Sequence, residues 1–251
     1  MGGPSVWRVE EACFNAFPAL KHVILEGWLL RFSEGRLRRT NNSSSPMRAD
    51  CANVATVIDA IETLYQQNGV PTLFRVPAFM PEAFDESLAA HGYSREEDSC
   101  VIYGDIAAID AVRDAQVELL PSANMEWLAA MGDLQGYSQE QRSTYQRVIG
   151  AIALPTAYAA LRIDGKLVSL AYGVIDHGLL SYESVITQPA YRRLGFSHRI
   201  IGAVAAWARE QGAEGACLQV AASNTSARTL YDRFGLATEL YFYHYRRADG
   251  Q

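Results

Sequence analysis

The chain repeats its own punctuation. Gly35, Pro46, Gly69 and Gly92 recur as Gly178, Pro189, Gly212 and Gly235, with the same 143-residue separation each time. Glycine and proline fix turns and element ends, so a shared spacing dictates where both halves can start and stop their strands and helices. The intervening pattern agrees in order. Gly27 to Phe32 and Leu167 to Ile175 read as strands entering hairpins, with Ser33-Glu34-Gly35 and Asp176-His177-Gly178 as the turns. Val54, Val57, Ile58, Ile61, Leu64 and Tyr65 then have helical spacing, as do Phe196, Ile200, Val204 and Trp207. Short strands follow at Thr72 to Val76 and Ala216 to Val220, then short helices carrying Phe84 and Leu88 or Leu230, Tyr231 and Phe234. Asp98 to Ile106 and Glu239 to Arg246 close the halves as β segments.

The expected class is therefore α/β (α+β), with two related units over 1–112 and 113–251, joined near Ala107 to Ala115. The second unit has the fuller front end. Gln116 to Leu120 suits a strand, and Ser138 with Gln141 three residues on is a capping box for a helix presenting Tyr145, Val148, Ile149 and Ile152. Thr156 to Ile163, Asp164-Gly165 and Lys166 onward form a hairpin. The first unit offers only a helical stretch near Val9 to Phe17 before its strands.

All of the −6 formal charge falls in residues 1–115, and the rest is balanced, so no basic surface calls for nucleic acid. No apolar run is long enough for a membrane span, and the first residues lack a signal-peptide core. Cys13, Cys51, Cys100 and Cys217 are scattered without a C-x-x-C pair, which points to reduced thiols in a cytoplasmic protein and to no metal site.

Chemistry concentrates after one strand. Arg192, Gly195 and Ser197 have the spacing R-x-x-G-x-S where an apolar strand enters an amphipathic helix. Such a turn leaves backbone amides unpaired at a helix N-terminus, ready for a phosphate or pyrophosphate. A second motif follows: Asn224-x-x-Ala227-x-x-Leu230-Tyr231-x-x-x-Gly235-Leu236. In that order, with the helix between, roughly residues 116–248 resemble the GCN5-related N-acetyltransferase (GNAT) superfamily. Ser197 stands where glycine or alanine is commoner, and Leu236 where an aromatic is usual.

The resemblance implies two GNAT-like units, each a mixed, mostly antiparallel twisted sheet flanked by helices. It also implies acetyl-CoA as co-substrate. The pantetheine arm would pair with the backbone of Val185, Ile186 and Thr187, and the pyrophosphate would sit on Arg192, Arg193, Leu194, Gly195, Phe196, Ser197 and His198. Asn224 would cap its helix, contact the cofactor, or both. Tyr231 would protonate or stabilise the leaving thiolate, unless it is a core tyrosine. Glu183 is the candidate general base for an ammonium acceptor. Strand alternation puts it on one face with Ser181 and Val185, and Tyr182 on the other. The implied activity is acetyl transfer to a primary amine of a small molecule or peptide. The rival is a non-catalytic acyl-CoA-binding regulatory module.

In the first unit, the positions matching Arg192, Gly195, Ser197, Asn224, Tyr231 and Glu183 hold Ala49, Ala52, Val54, Pro81, Leu88 and Thr40. That copy is expected to be a degenerate scaffold without the cofactor turn. The polar run Arg38 to Ser45 reads as a strand end running into a loop, or as a lining of an acceptor pocket between the halves.

Overall fold

A computed structural model describes residues 3–34 and 37–248. Gly35, one of the repeated glycines, lies outside the described residues. Along the chain the elements are α1 (Val6–Ala16), β1 (Lys21–Leu25), β2 (Trp28–Phe32), β3 (Ser44–Pro46), α2 (Ile58–Gln67), β4 (Leu73–Pro77), α3 (Glu82–Ala90), β5 (Tyr93–Arg95) and β6 (Ser99–Asp105). After a loop come β7 (Val117–Leu120), α4 (Met125–Gln135), α5 (Gln139–Gly150), β8 (Thr156–Ile163), β9 (Lys166–Asp176), β10 (Leu179–Thr187), α6 (Phe196–Glu210), β11 (Gly215–Ala221), α7 (Thr225–Arg233) and β12 (Thr238–Ala248).

Twelve strands lie in a single sheet, in the order β1-β2-β3-β4-β12-β6-β11-β10-β9-β8-β7, with β5 also paired to β12. The two halves thus do not form separate sheets. The sheet is mixed: β3 with β4 and β10 with β11 are the parallel pairs, and the other pairings are antiparallel. At its centre the strands are exchanged. β12 pairs with β4 on one edge and β6 on the other, while β6 runs alongside β11 from Ser99 to Asp105. Sequence pattern had no means of assigning these partners, because an apolar strand fits either neighbour equally well. Gly104 shows how tight the crossing is: a Cβ there would run into the Gly235 carbonyl.

Helices cover both faces. On one, α1 lays Val9, Ala12 and Cys13 against Leu179, Cys217, Tyr241 and Tyr243, and α4 and α5 bury Trp127, Met131, Tyr145 and Val148 against β8 and β9. On the other, α2 and α3 pack on β2 and β4 around Trp28, Phe74 and Phe84, and α6 and α7 pack on β9, β10 and β11. The capping box forms as expected, with Ser138 and Gln141 bonding reciprocally. Helix α4 has weak periodicity and no repeat partner; Asn124 caps it by accepting from the Trp127 amide.

Polar groups tie α1 across the centre of the sheet. Glu10, buried on α1, receives Arg75 of β4 through Nε (2.9 Å) and Nη2 (2.5 Å), and the Tyr241 hydroxyl of β12 (2.5 Å). Arg8 and Asn15 reach Asp176 at the end of β9. A charged helix face thus spans strands from both ends of the sequence.

Candidate active site

Between β10 and α6 the backbone makes two left-handed steps. A 3-10 turn at Pro189–Tyr191 ends in extended Arg192, Arg193 has φ +61° and Gly195 has φ +81°. Open space surrounds the position a Gly195 Cβ would take, so backbone angle rather than crowding is what calls for glycine. Among the described residues, no protein acceptor takes the amides of residues 193–198, which gather at the start of α6. Leu194 is 61% exposed, and Arg192 and Arg193 are exposed beside it. Arg192 folds back, donating Nε to the Thr187 carbonyl (3.2 Å). Ser197 has a positive role: its hydroxyl bonds Thr187 Oγ1 (2.9 Å), which in turn bonds Ser169 (2.7 Å), pinning the helix start to β10 and β9. Phe196 packs near Tyr191. The His198 imidazole turns outward, to Asp110 (3.5 Å) and the Phe234 ring.

Next to this turn the sheet opens. β10 and β11 pair only from Leu179 to Ser181 with Gly215 to Cys217. Beyond that, Ile186 and Thr187 remain paired to Leu170 and Ser169 of β9, while their other edge has no strand partner. A bulge sits at the opening, where the register shifts between Glu183 and Ile186 and Ser184 has φ +53°. The extra residue reverses the alternation that simple period-two reading assumes. Contrary to the expectation from strand alternation, Val185 therefore does not share a face with Glu183. It packs with the α6 cluster, and Glu183 lies on the α1 side with Ser181, which bonds Cys217. Tyr182 does point the other way, donating to the Ile201 carbonyl of α6 (3.0 Å).

Glu183 meets a partner that sequence reading left in a loop. Arg38 donates Nη1 to Glu183 Oε2 (3.1 Å) and Nη2 to Ser184 Oγ (2.9 Å), with its guanidinium over the Phe17 ring (4.5 Å). Burial pushes the Glu183 carboxyl above its usual range, and Arg38 offsets only part of that rise. Phe17, Arg38 and Glu183 wall a cavity of about 130 Å³ at the open end of the strand gap, together with Thr40, Ser99, Gln219, Ala221 and Tyr243. Arg38 and Thr40 come from the polar run in the first half of the chain, so that run does line a cavity shared with the second half.

Tyr231 is buried on α7, and its phenol is pushed up to about 12, first by burial and then by the Glu183 charge. It is part of the core cluster and also within electrostatic reach of Glu183. Asn224 caps α7 through its side-chain oxygen, which accepts from the Ala227 amide (3.1 Å). Sequence reasoning missed Gln219 altogether. Its one signal was a lone amide inside the apolar strand Cys-Leu-Gln-Val.

The family model described as "Probable histone acetyltransferase Rv0428c C-terminal" matches residues 5–247. The chain belongs to this family. It is thus an acyltransferase of the GNAT superfamily, in agreement with the resemblance carried by its two motifs. It is 22% identical over 243 residues to a Bacillus subtilis (strain 168) protein named "Uncharacterized N-acetyltransferase YobR", covering 95% of this chain and 97% of the other. The fold matches a GCN5-related N-acetyltransferase from Kribbella flavida at a TM-score of 0.74 and 15% identity, covering 100% of this chain and 98% of that one. It also matches a tandem GNAT protein from the clavulanic acid biosynthesis pathway at a TM-score of 0.61 and 13% identity, covering 82% and 74%. Among the described residues, no group of three or more His, Cys, Asp or Glu gathers as a metal site, and no helix is long and apolar enough to cross a membrane.

Proposed function

We propose that the protein transfers an acetyl group from acetyl-CoA to a primary amine by direct attack, at one site. The observation that carries this reading is the free inner edge of β10 beside the unpaired amides of residues 193–198. Those donors fit a pyrophosphate, and the strand edge fits the amides of a pantetheine arm. Acetyl-CoA would supply a thioester, the activated carbonyl.

The remaining steps belong to side chains. Glu183, ionised and held by Arg38, accepts a proton from the incoming ammonium, directly or through one water. The free amine forms a C–N bond to the carbonyl carbon, the C–S bond breaks with its electron pair on sulfur, and the second proton shed by the nitrogen passes to that thiolate. Tyr231 then stands as a donor to the thiolate. With its phenol at about 12 it stays protonated at neutral pH. It is also a weaker acid than a thiol of pKa ~8.5, so hydrogen bonding, not early proton transfer, is its contribution.

The chain is also read as two GNAT-like units, 1–112 and 113–251, the first without a cofactor site. Support comes from the strand order, which runs β4-β3-β2-β1 outward from β12 and β11-β10-β9-β8 outward from β6. Where the cofactor turn would fall in the first unit, the backbone instead forms two successive 3-10 turns, Ala49–Ala52 and Val54–Thr56.

Thermal denaturation with acetyl-CoA, and thiol release with a panel of amines, test the proposal. At a hundredfold excess over Kd, binding stabilises by about 2.7 kcal/mol, a shift of several degrees. Tyr231→Phe should lower kcat about 10²-fold with that shift retained. No shift with acetyl-CoA, or full turnover in Tyr231→Phe, would sink the corresponding part.

A further inference from the structure

Ser184 holds a backbone conformation that serines rarely adopt. Its φ of +53° lies in the left-handed region, where a side chain costs energy that a glycine would not. Such an outlier persists only where its surroundings hold it. Two neighbours hold this one, both through the hydroxyl. Arg38 Nη2 donates to Ser184 Oγ (2.9 Å), and so does the Tyr145 hydroxyl (3.3 Å). Tyr145 is buried on α5, and Arg38 lies in the segment between β2 and β3. A glycine at 184 would relieve the backbone but accept neither bond.

The bulge decides which way the end of β10 faces. Plain alternation from Glu183 would send Val185 and Thr187 to the α1 side. With one residue added they turn to α6 instead: Val185 joins the α6 cluster, Ile186 packs toward α4 and α5, and the Thr187 hydroxyl meets Ser197. The tie between β10 and the start of α6 thus depends on the extra residue. We infer that Arg38 and Tyr145 are positioning residues for the cofactor turn: by holding Ser184 left-handed they set the face that Thr187 presents to α6, and through Ser197 the placing of the amides of residues 193–198. The same Arg38 guanidinium holds Glu183 through Nη1 (3.1 Å). One side chain from the first half of the chain therefore orients the proposed base directly and the proposed pyrophosphate donors through the bulge. What the turn binds rests on the acetyl-transfer reading, whereas the mechanical link from Ser184 to α6 stands apart from it.

Calorimetric titration of the full chain with acetyl-CoA, together with hydrogen exchange read by mass spectrometry, tests the link. Tyr145→Phe removes one bond to Ser184 and leaves Arg38 on Glu183, so Kd for acetyl-CoA should rise about fivefold. Ser184→Ala keeps the backbone cost and loses both bonds, and the rise should be about tenfold. Ser184→Gly loses the same bonds without that cost and should fall between Ser184→Ala and the parent. Arg38→Lys retains a charge for Glu183 but cannot fork to both partners, so it too should weaken acetyl-CoA binding. With the most active amine of the panel, the defect in Tyr145→Phe should appear in KM for acetyl-CoA more than in kcat. In Tyr145→Phe and Ser184→Ala the amides of residues 186–198 should exchange faster, while those of β8 keep the parent rates. Parental Kd and parental exchange over 186–198 in both variants would overturn the inference. So would faster exchange spread evenly over the whole sheet, which would mark a general loss of stability. A parent protein that shows no binding of acetyl-CoA, with exchange over 186–198 still responding to both variants, would remove the acetyl-transfer reading and leave the link in place.

Discussion

Replacing Glu10 by alanine should destabilise the protein severely, and a compensating triple change should restore it. Arg75 is 0% exposed at its side chain and Glu10 2%, so neither charge has solvent to fall back on. Burial works against the Arg75 charge, but Glu10, with Tyr243 and Tyr245, outweighs it and the guanidinium is held well above its ordinary range. Removing Glu10 leaves a buried cation uncompensated, about 3–5 kcal/mol. It also strips the Tyr241 hydroxyl of its acceptor, a further ~1 kcal/mol. For a chain of this size each kcal/mol moves Tm by about 2–4 °C, so a drop of roughly 10–20 °C is expected. The triple variant Glu10→Leu, Arg75→Leu, Tyr241→Phe removes all three polar partners together. Because desolvating an ion pair consumes most of its Coulomb energy, the triple should return to within ~1–2 kcal/mol of the parent. Scanning calorimetry and urea titration of single and triple variants provide the check. A single change costing under ~1 kcal/mol, or a triple no better than the single, would refute the reasoning.

Arg38→Met removes the charge that favours ionised Glu183, so the carboxyl should rise further and the acid limb of kcat/KM should move to higher pH; an unmoved limb would deny Glu183 the base role. Gly195→Val forces a β-branched residue to φ +81° at about 1–2 kcal/mol and should weaken acetyl-CoA binding. Gly69→Ala, at φ +66° after α2, should cost comparable stability and leave that affinity alone, as titration of both variants would show. Asp85 on α3 is held at about 2, first by its bonds to Arg246 of β12, with burial opposing and His244 assisting. Its folded value lies below its unfolded one, so its contribution is present above pH ~4 and disappears as pH falls toward 2. The shift would be worth about 2.5 kcal/mol if fully effective, but the carboxylate is partly solvated, so Asp85→Asn should cost ~1 kcal/mol at pH 7 and nothing at pH 2 by denaturant titration.

What the sequence made legible was local. The left-handed turn glycine Gly178, the helical spacing in α6 and the Ser138 capping box depend on neighbours within a few residues and formed as expected, whereas the helix expected from Val54 begins only at Ile58, because Val54 sits in a 3-10 turn. The bulge at Ser184 was invisible because nothing in Glu-Ser-Val announces a left-handed serine; the neighbouring strands and the Arg38 and Tyr145 contacts to its hydroxyl accompany it. Arg38 was unreadable as a Glu183 partner because the two are far apart in sequence, and only the sheet brings them together. The exchange of β6 and β12 was hidden for the same reason: strand pairing is set by whichever edges the whole chain leaves open.

That exchange has a consequence for synthesis. β4 and β6 receive a shared neighbour, β12, from on the order of 130 residues downstream, and at ~5–20 residues per second the ribosome needs roughly 10 s to deliver it. Through that interval the nascent first half holds two ladder edges without their final partner, and such edges invite pairing with other chains. The first half must therefore remain pliable, or be shielded by another protein, until the second is nearly complete. Cutting the chain near residue 112 would not release two domains. It would give two pieces, each missing a central strand of its sheet and each holding the other's. Co-expressed as separate polypeptides, those pieces would reassemble only as a pair.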